Sequence, residues 1–399
     1  MRAGFFVHLP FHRSILQPIR DVLAARAESL LSSDRSALVA FDPHVLVMAG
    51  HAHLEYFREH LPRALTVNVR HGMISKSGIR RLPDRRSARW FDFVCVGAEA
   101  RLEQYERSQV APREYWITGY AQVDPLFRRD PPAALPLPRG KKTVLYAPTW
   151  NLGLSSAGML GPRLVELIRG EAPDVGIIIK PHPAIGDWRP RWMAWWARLE
   201  ASVPGVHLVR DTHADITPYM LAADVLVSDA SSAIFEFLAL DRPIILVTNP
   251  RHAADPAYDP DDIAWRWRDL GEEIHDVARL PGAVAHALHS PEIHAAQRRR
   301  YAHLLFGPFT DGRNHARVAE KILEAGVALA RGEIAARALP ITRASAPLRL
   351  WHDVRTRLWV SRALRRALSA PLEEVRLRVR SLTLGSRRAP TRRPPDGAR

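Results

Sequence analysis

Two adjacent serines, Ser231 and Ser232, follow the apolar run Val225–Val227 and precede Ile234, Phe235, Phe237 and Leu238, which recur at helical spacing. Such a strand-to-helix turn gathers free backbone N–H groups and the positive end of a helix at one point, which favours an anion, most often a phosphate. Glu236 lies about one turn further on, where a carboxylate can accept hydrogen bonds from a ribose. An ordinary βαβ unit with a serine cap and a solvated glutamate fits the same residues. Three other segments carry reactive side chains. VLYAPTW (144–150) sets Thr149 just beyond a strand. IIIKPHP (177–183) sets Lys180 and His182 at another strand exit, with His182 stiffened between two prolines. TDGRN (310–314) is a polar turn, holding Asp311 and Gly312, that leads into a helix. A lone histidine is usually a packing residue. One beside a lysine, on a proline-locked strand exit near a phosphate-type turn, points to function instead.

The elements that must carry these residues are legible in order. Apolar runs at 4–8, 45–48, 65–69, 93–96 and 115–118 read as strands, each followed by a loop or a helical stretch, with one helix over 19–31. PFHRS (10–14) lies at the carboxyl end of the first strand, and Arg70-His71-Gly72 at the end of the third. Ligands of open α/β sheets gather at such ends. RRDPPAALPLPRG (128–140) reads as a linker. Strands resume at 143–146, 176–180, 206–209, 225–227 and 244–247, with helices over 160–169, 191–200 and 231–240. The resulting expectation is an α/β protein of two doubly wound, Rossmann-type domains facing a cleft. The first spans 1–127 and the second 141–312, joined by the linker; a helix over 313–331 packs back toward the first domain, and a basic tail spans 332–399.

Length, at 399 residues, suits two domains of ordinary size. The single cysteine, Cys95, excludes an internal disulfide and a multi-cysteine zinc site. The first residues lack an apolar signal core, and no stretch reaches the ~20 apolar residues of a membrane span. The formal charge of +15 is local: from Arg331 onward stand 17 Arg against five acids, a net +12 that leaves +3 for the other 330 residues. A global argument for nucleic-acid binding therefore fails. Within the tail, 348–368 interleaves Leu, Trp and Val with Arg. That pattern suits an amphipathic helix on an anionic membrane, and equally a helix packed on the body.

YAPTW, KPHP, DVLVSDASSAIFEF with RPII, and TDGR, in that order, together resemble the CDP-glycerol glycerophosphotransferase family of teichoic-acid and capsule polymerases. FHRSILQPI near the start, RHG at 70–72 and ITGYAQVD at 117–124 extend the resemblance over roughly residues 5–325. It implies a GT-B fold and transfer of a polyol phosphate from a CDP-linked donor to a hydroxyl of a glycan or lipid-linked acceptor, with release of CMP. It also implies roles. His71 matches the general base, and His182 the histidine at the donor phosphates. Ser231 and Ser232 match the pyrophosphate-holding pair, and Glu236 the acid that meets the ribose. Asp311, Gly312 and Thr149 match further donor-side positions, and Lys180 joins them as a cation. Arg70 stands where a tryptophan is common, and Ala230 where a tyrosine is usual. No Asp-x-Asp pair stands at a strand end, so neither an essential metal nor another cofactor is expected. The expected setting is cytoplasmic, peripheral on the inner face of the cell membrane. A nucleotide-sugar transferase or epimerase on the same scaffold is the alternative, told apart by its nucleoside diphosphate product. A non-catalytic nucleotide-binding scaffold is the third reading.

Overall fold

The computed structural model describes residues 1–73, 91–102, 112–137 and 140–338. The amphipathic stretch 348–368, the tail beyond 338, the loop after Met73 and two linker positions lie outside the described residues.

Two six-stranded parallel sheets organise the chain. The first holds β1 (Arg2–Phe6), β2 (Glu28–Ser32), β3 (Val45–Met48), β4 (Leu65–Asn68), β5 (Phe93–Val96) and β6 (Glu114–Ile117), in the order β2-β1-β3-β4-β5-β6. The second holds β7 (Thr143–Tyr146), β8 (Gly176–Ile179), β9 (Val206–Leu208), β10 (Val225–Ser228), β11 (Ile244–Val247) and β12 (Glu272–Ile274), in the order β12-β11-β10-β7-β8-β9. Each order reverses once, between β1 and β3 in the first sheet and between β7 and β10 in the second. Chain connections leave such a point in opposite directions, so it opens a crevice at the carboxyl ends of the strands.

The central strands are short apolar runs because helices cover both of their faces. β3, β4, β5, β7, β8, β10 and β11 are buried along their whole length. Separate apolar clusters lie on the two faces of each sheet. Against one face of the first sheet pack α1 (His12–Leu23) and, from the far end of the chain, Val318, Ala319, Ile322 and Leu323 of the helix Asn314–Ala330. Asp124 holds the start of that late helix by accepting from the amides of Asn314 and His315 at 3.1 and 2.8 Å.

Two strands depart from the sequence pattern. The helix expected over 19–31 ends at Leu23, and Glu28–Ser32 pairs with β1 as an edge strand. β12 pairs with β11 at an edge of the second sheet. Both runs, ESLLS and EEI, carry acids and lie half in solvent, so neither shows a buried strand's continuous apolar signal.

One buried ion pair supports the first sheet. Asp92 is fully enclosed and accepts from Arg58 Nη2 at 2.7 Å and from the Thr66 amide at 2.8 Å. Its other oxygen accepts from the Arg337 amide at 2.9 Å, which ties the segment after the last helix to the sheet. Asp92→Ala would leave a buried guanidinium without its counter-charge. We expect it to lower the unfolding free energy by about 3–5 kcal/mol in chemical denaturation; a loss under ~1 kcal/mol would show that Arg58 finds another partner.

Candidate active site

The expected residues collect at the carboxyl ends of both sheets. His71 leaves β4 through Arg70, which has a left-handed backbone (φ 61°) and whose amide donates to Asn68 Oδ1 at 2.9 Å. An arginine at positive φ is strained, and such strain persists where the surroundings hold it in place. The turn brings His71 Nδ1 to 2.6 Å from the carbonyl of Ala49, just past β3. A carbonyl only accepts, so Nδ1 carries the proton and the neutral ring keeps a lone pair on Nε2. That nitrogen is placed to act as a base.

His12, the first residue of α1, forms the face behind His71. Their ring centroids lie 4.8 Å apart with planes tilted by 31°. A side chain at Gly50 would meet His71 at 3.3 Å and His12 at 3.7 Å, so glycine leaves room for the two rings. His12 is 1 % exposed, and neither ring nitrogen has a hydrogen-bond partner among the described residues. Burial, then His71, His8 and His213, lowers its pKa to about 2, so it stays neutral. Burial also lowers His71 to about 4, against the pull of the Ala49 hydrogen bond. The His71 residue as a whole is exposed, so His12 is the more completely enclosed of the two.

On the second sheet, His182 follows β8 with the opposite polarity. Its Nδ1 accepts from the Ala184 amide at 3.1 Å, so in the neutral ring the proton lies on Nε2. That nitrogen can donate to an anion. Lys180, 4 % exposed, donates from Nζ to the Thr212 carbonyl at 2.8 Å. Burial lowers its pKa to about 8, opposed by Asp211, Asp215 and Glu236. Glu236 is buried as well, and desolvation followed by Asp215 raises it to about 8.

Around the switch point of the second sheet the structure differs from the expected cap. Ser231 and Ser232 precede the helix Ala233–Phe237, but the Ser232 side chain does not cap its start. The backbone already turns at the serines, where Phe235 N reaches Ser232 O at 3.0 Å. Ser231 is buried and its Oγ faces the Ala233 amide at 3.4 Å; Ser232 is part-exposed. Thr149 is buried beneath the mouth, and its amide donates to Asp229 Oδ1 at 2.8 Å. Asp311 lies further along the chain, in an exposed pair with Arg317 at 2.7 Å that lowers its pKa to about 2. Gly312, at φ 70°, offers its carbonyl to Arg128, and a side chain there would strike Arg128 at 2.5 Å. This pair therefore shapes the turn into the last helix.

A chain of contacts links the two imidazoles. The Phe11 ring lies 5.6 Å from His71 and stacks on His213 at 6.4 Å. Next to His213, Thr212 takes the Lys180 ammonium on its carbonyl, and its Oγ1 donates to Pro183 O at 3.4 Å, beside His182. Phe11, His12, His213 and Asp229 were not among the expected site residues. The available signals were a strand-end position for the first two, and an aspartate between a strand and Ser-Ser for the last.

A family model described as CDP-glycerol:poly(glycerophosphate) glycerophosphotransferase matches residues 22–324. The chain belongs to this family. The chain is 25 % identical over 178 residues to the teichoic acid glycerol-phosphate primase of Bacillus subtilis (strain 168). That match spans 44 % of this chain and 43 % of the relative, less than half the length of either. Among solved structures, the wall teichoic acid polymerase TagF superposes with a TM-score of 0.63 at 14 % identity, over 82 % of this chain and 89 % of the other. A putative UDP-N-acetylglucosamine 2-epimerase from Listeria monocytogenes gives 0.55 at 11 % identity, over 81 % and 96 %. These likenesses show the GT-B-like fold expected from the sequence.

The lowered histidine pKa values carry a stability consequence. Folding makes His12 and His71 harder to protonate, so below their ordinary value of 6.5 the unfolded chain binds more protons than the folded one. This stabilisation is full above pH ~6.5 and is lost as pH falls toward the His71 value of about 4. Melting temperatures should fall between those limits, and less steeply in a His12→Leu variant. Identical slopes in the two proteins would show that His12 does not titrate on unfolding.

Proposed function

We propose that the chain transfers a polyol phosphate, glycerol phosphate in the family's description, from a CDP-linked donor to a hydroxyl of a cell-surface glycan or lipid-linked acceptor. His71 Nε2 takes the proton of the acceptor hydroxyl as its oxygen attacks the donor phosphorus that bears the polyol. The bond from that phosphorus to the oxygen of the CMP phosphate breaks, and CMP leaves with the electron pair. The product is an acceptor–phosphate–polyol diester. His182 Nε2–H and Lys180 stabilise the charge that grows on the departing phosphate, together with the amides around Ser231 and Ser232. Glu236 faces the donor ribose; burial keeps it largely protonated near neutral pH, so it both donates and accepts. Thr149, Asp311 and Gly312 hold the surrounding loops.

The observation that carries this reading is the contact path His71–Phe11–His213–Thr212–Pro183, which runs from a ring protonated on Nδ1 to the residue beside His182, a ring protonated on Nε2. Purified protein should release CMP from CDP-glycerol when a hydroxyl acceptor is supplied. His71→Ala should lower kcat by about 10²–10⁴-fold, and His182→Ala should lower it too. Full activity in both variants would remove the two imidazoles from the mechanism. Release of a nucleoside diphosphate from a nucleotide sugar would select a sugar transferase, and isomerisation of the sugar an epimerase.

We further propose that the chain works at the cytoplasmic face of a membrane, held by its arginine-rich tail. Among the described residues no helix is long and apolar enough to cross a membrane, and the net +12 after residue 330 would attract anionic headgroups. Deleting 340–399 should release the protein from vesicles rich in anionic lipid while leaving its melting temperature in place. Equal vesicle binding with and without the tail would end this part of the proposal.

A further inference from the structure

Two residues past His71, the chain passes from the first sheet into the core of the second. Met73 is fully buried and belongs to the apolar cluster that holds Leu145 of β7, Ile178 of β8 and Phe235 of the helix after the paired serines. Its carbonyl accepts from Arg101 Nη2 at 3.3 Å. Arg101 ends the one-turn helix Glu99–Arg101 that follows β5, and it is 4 % exposed. Its guanidinium carbon lies 5.6 Å from the centre of the Trp267 ring, near enough for a cation over an aromatic face. Trp267 stacks on Tyr301 at 4.6 Å and meets Phe235 edge-on at 5.9 Å. The neighbouring Arg268 donates to the Asp229 carbonyl. Arg101 thus touches the segment of the base with one nitrogen and the supports of the serine turn with its flat face.

Stability alone does not call for an arginine at this point. A guanidinium keeps its charge when buried, and taking it out of water is costly unless partners replace the lost hydration. Among the described residues Arg101 has no carboxylate partner, and its Nε–H is buried without an acceptor. An apolar side chain of similar volume fills the same space without that cost. What the guanidinium alone supplies is a rigid planar fork that meets a carbonyl at one edge and a ring on its face. The other holds on the base do not do this. Ala49 fixes the tautomer of His71, and Asn68 fixes the turn before it. Both belong to the first sheet, so neither sets how far the base stands from the second. Met73 does, since two residues of chain reach at most about 7 Å.

We propose that Arg101 is a positioning residue, which together with Met73 and Trp267 fixes the spacing between His71 and the Ser231–Ser232 turn. The proposal rests on the transfer reading above and adds to it a residue that acts through others. In-line attack needs the oxygen activated by the base to meet the donor phosphorus at a set distance and angle. Each sheet carries one of these two sides, so a contact between the sheets must hold the geometry. A misplacement of ~1 Å can cost about 100-fold in rate. Loss of the fork therefore acts on kcat, while the donor groups on the second sheet keep their own contacts and donor affinity stays the same.

Arg101→Met keeps an apolar stem in the same space and removes both directional contacts. Its kcat for CMP release from CDP-glycerol should fall by about 10–100-fold, with KM for the donor within about twofold of wild type. Arg101→Lys keeps the charge and should recover part of kcat. Trp267→Phe offers a weaker ring face and should show a smaller fall of the same kind. The double variant should lose little more than Arg101→Met alone, because both changes remove one contact. Hydrogen exchange reads the tether without turnover: in Arg101→Met it should rise in peptides covering 69–73 and stay unchanged in those covering β10. An unchanged kcat, a donor KM that rises as much as kcat falls, or a uniform rise in exchange overturns the proposal. If the wild type releases no CMP, the transfer reading fails by itself; a local rise in exchange at 69–73 still supports the tether, and equal exchange there rejects it.

Discussion

The hydrogen bond from His71 Nδ1 to the Ala49 carbonyl decides what the mouth of this protein can do. A neutral imidazole has one donor and one acceptor, and fixing the first fixes the second. The carbonyl is where it is because β3 is paired on both sides, by β1 and β4, right up to Met48. The histidine is where it is because Arg70 accepts a left-handed backbone one residue earlier. Strand order thus sets a proton inventory. On the second sheet the Ala184 amide does the reverse for His182, and the two rings come to hold their protons on opposite nitrogens.

Asp229 plays the corresponding part at the other switch point. Its carboxylate accepts from the amides of Thr149, Ser156 and Ala230 and from the Ser156 hydroxyl, all between 2.7 and 2.9 Å. Four donors would ordinarily hold a carboxylate ionised, while full burial pushes its pKa up, and burial is the larger effect. The arrangement welds the loop after β7 to the loop after β10, on which the paired serines stand. Arg268 adds a hydrogen bond to the Asp229 carbonyl from the opposite side. The Ser231–Ser232 turn is therefore held from below and needs no side-chain cap of its own. This explains why Ser232 makes no side-chain cap, while Ser231 Oγ accepts only a long hydrogen bond from the Ala233 amide.

Much of this was legible beforehand, for a physical reason. A strand buried on both faces must be a continuous apolar run, and its carboxyl end must change character abruptly. Runs such as VLVM before Ala-Gly-His, or IIII-like Gly176–Ile179 before Lys-Pro-His, therefore mark both an element and a ligand-facing loop. Edge strands carry no such signal, and β2 and β12 escaped notice. Residues that act through tertiary contact were equally silent. His12 reads as one more polar residue after a strand until the fold stacks it on His71. Asp229 reads as a strand boundary until the fold brings three loops to it.

The crowd of imidazoles on the first sheet bears on how an anionic substrate is handled. His8, His12, His51, His53, His71 and His213 lie close enough for ring contact or mutual repulsion. Were they charged, the mouth would bind phosphate strongly and without direction, and His71 Nε2 would lose its lone pair to a proton. Packing opposes this for His8, His12 and His71, whose pKa values desolvation and neighbouring imidazoles lower. Positive charge is left on Lys180, whose ammonium rests on the Thr212 carbonyl next to His213. A buried cation lowered toward neutrality also binds its anion with less loss of hydration than a fully solvated one. Under the proposed transfer, neutral nitrogens move the protons and separate cations hold the phosphates. A transferase of phosphate esters needs that division, because a group that grips an anion with its full charge cannot also serve as a base at the same pH.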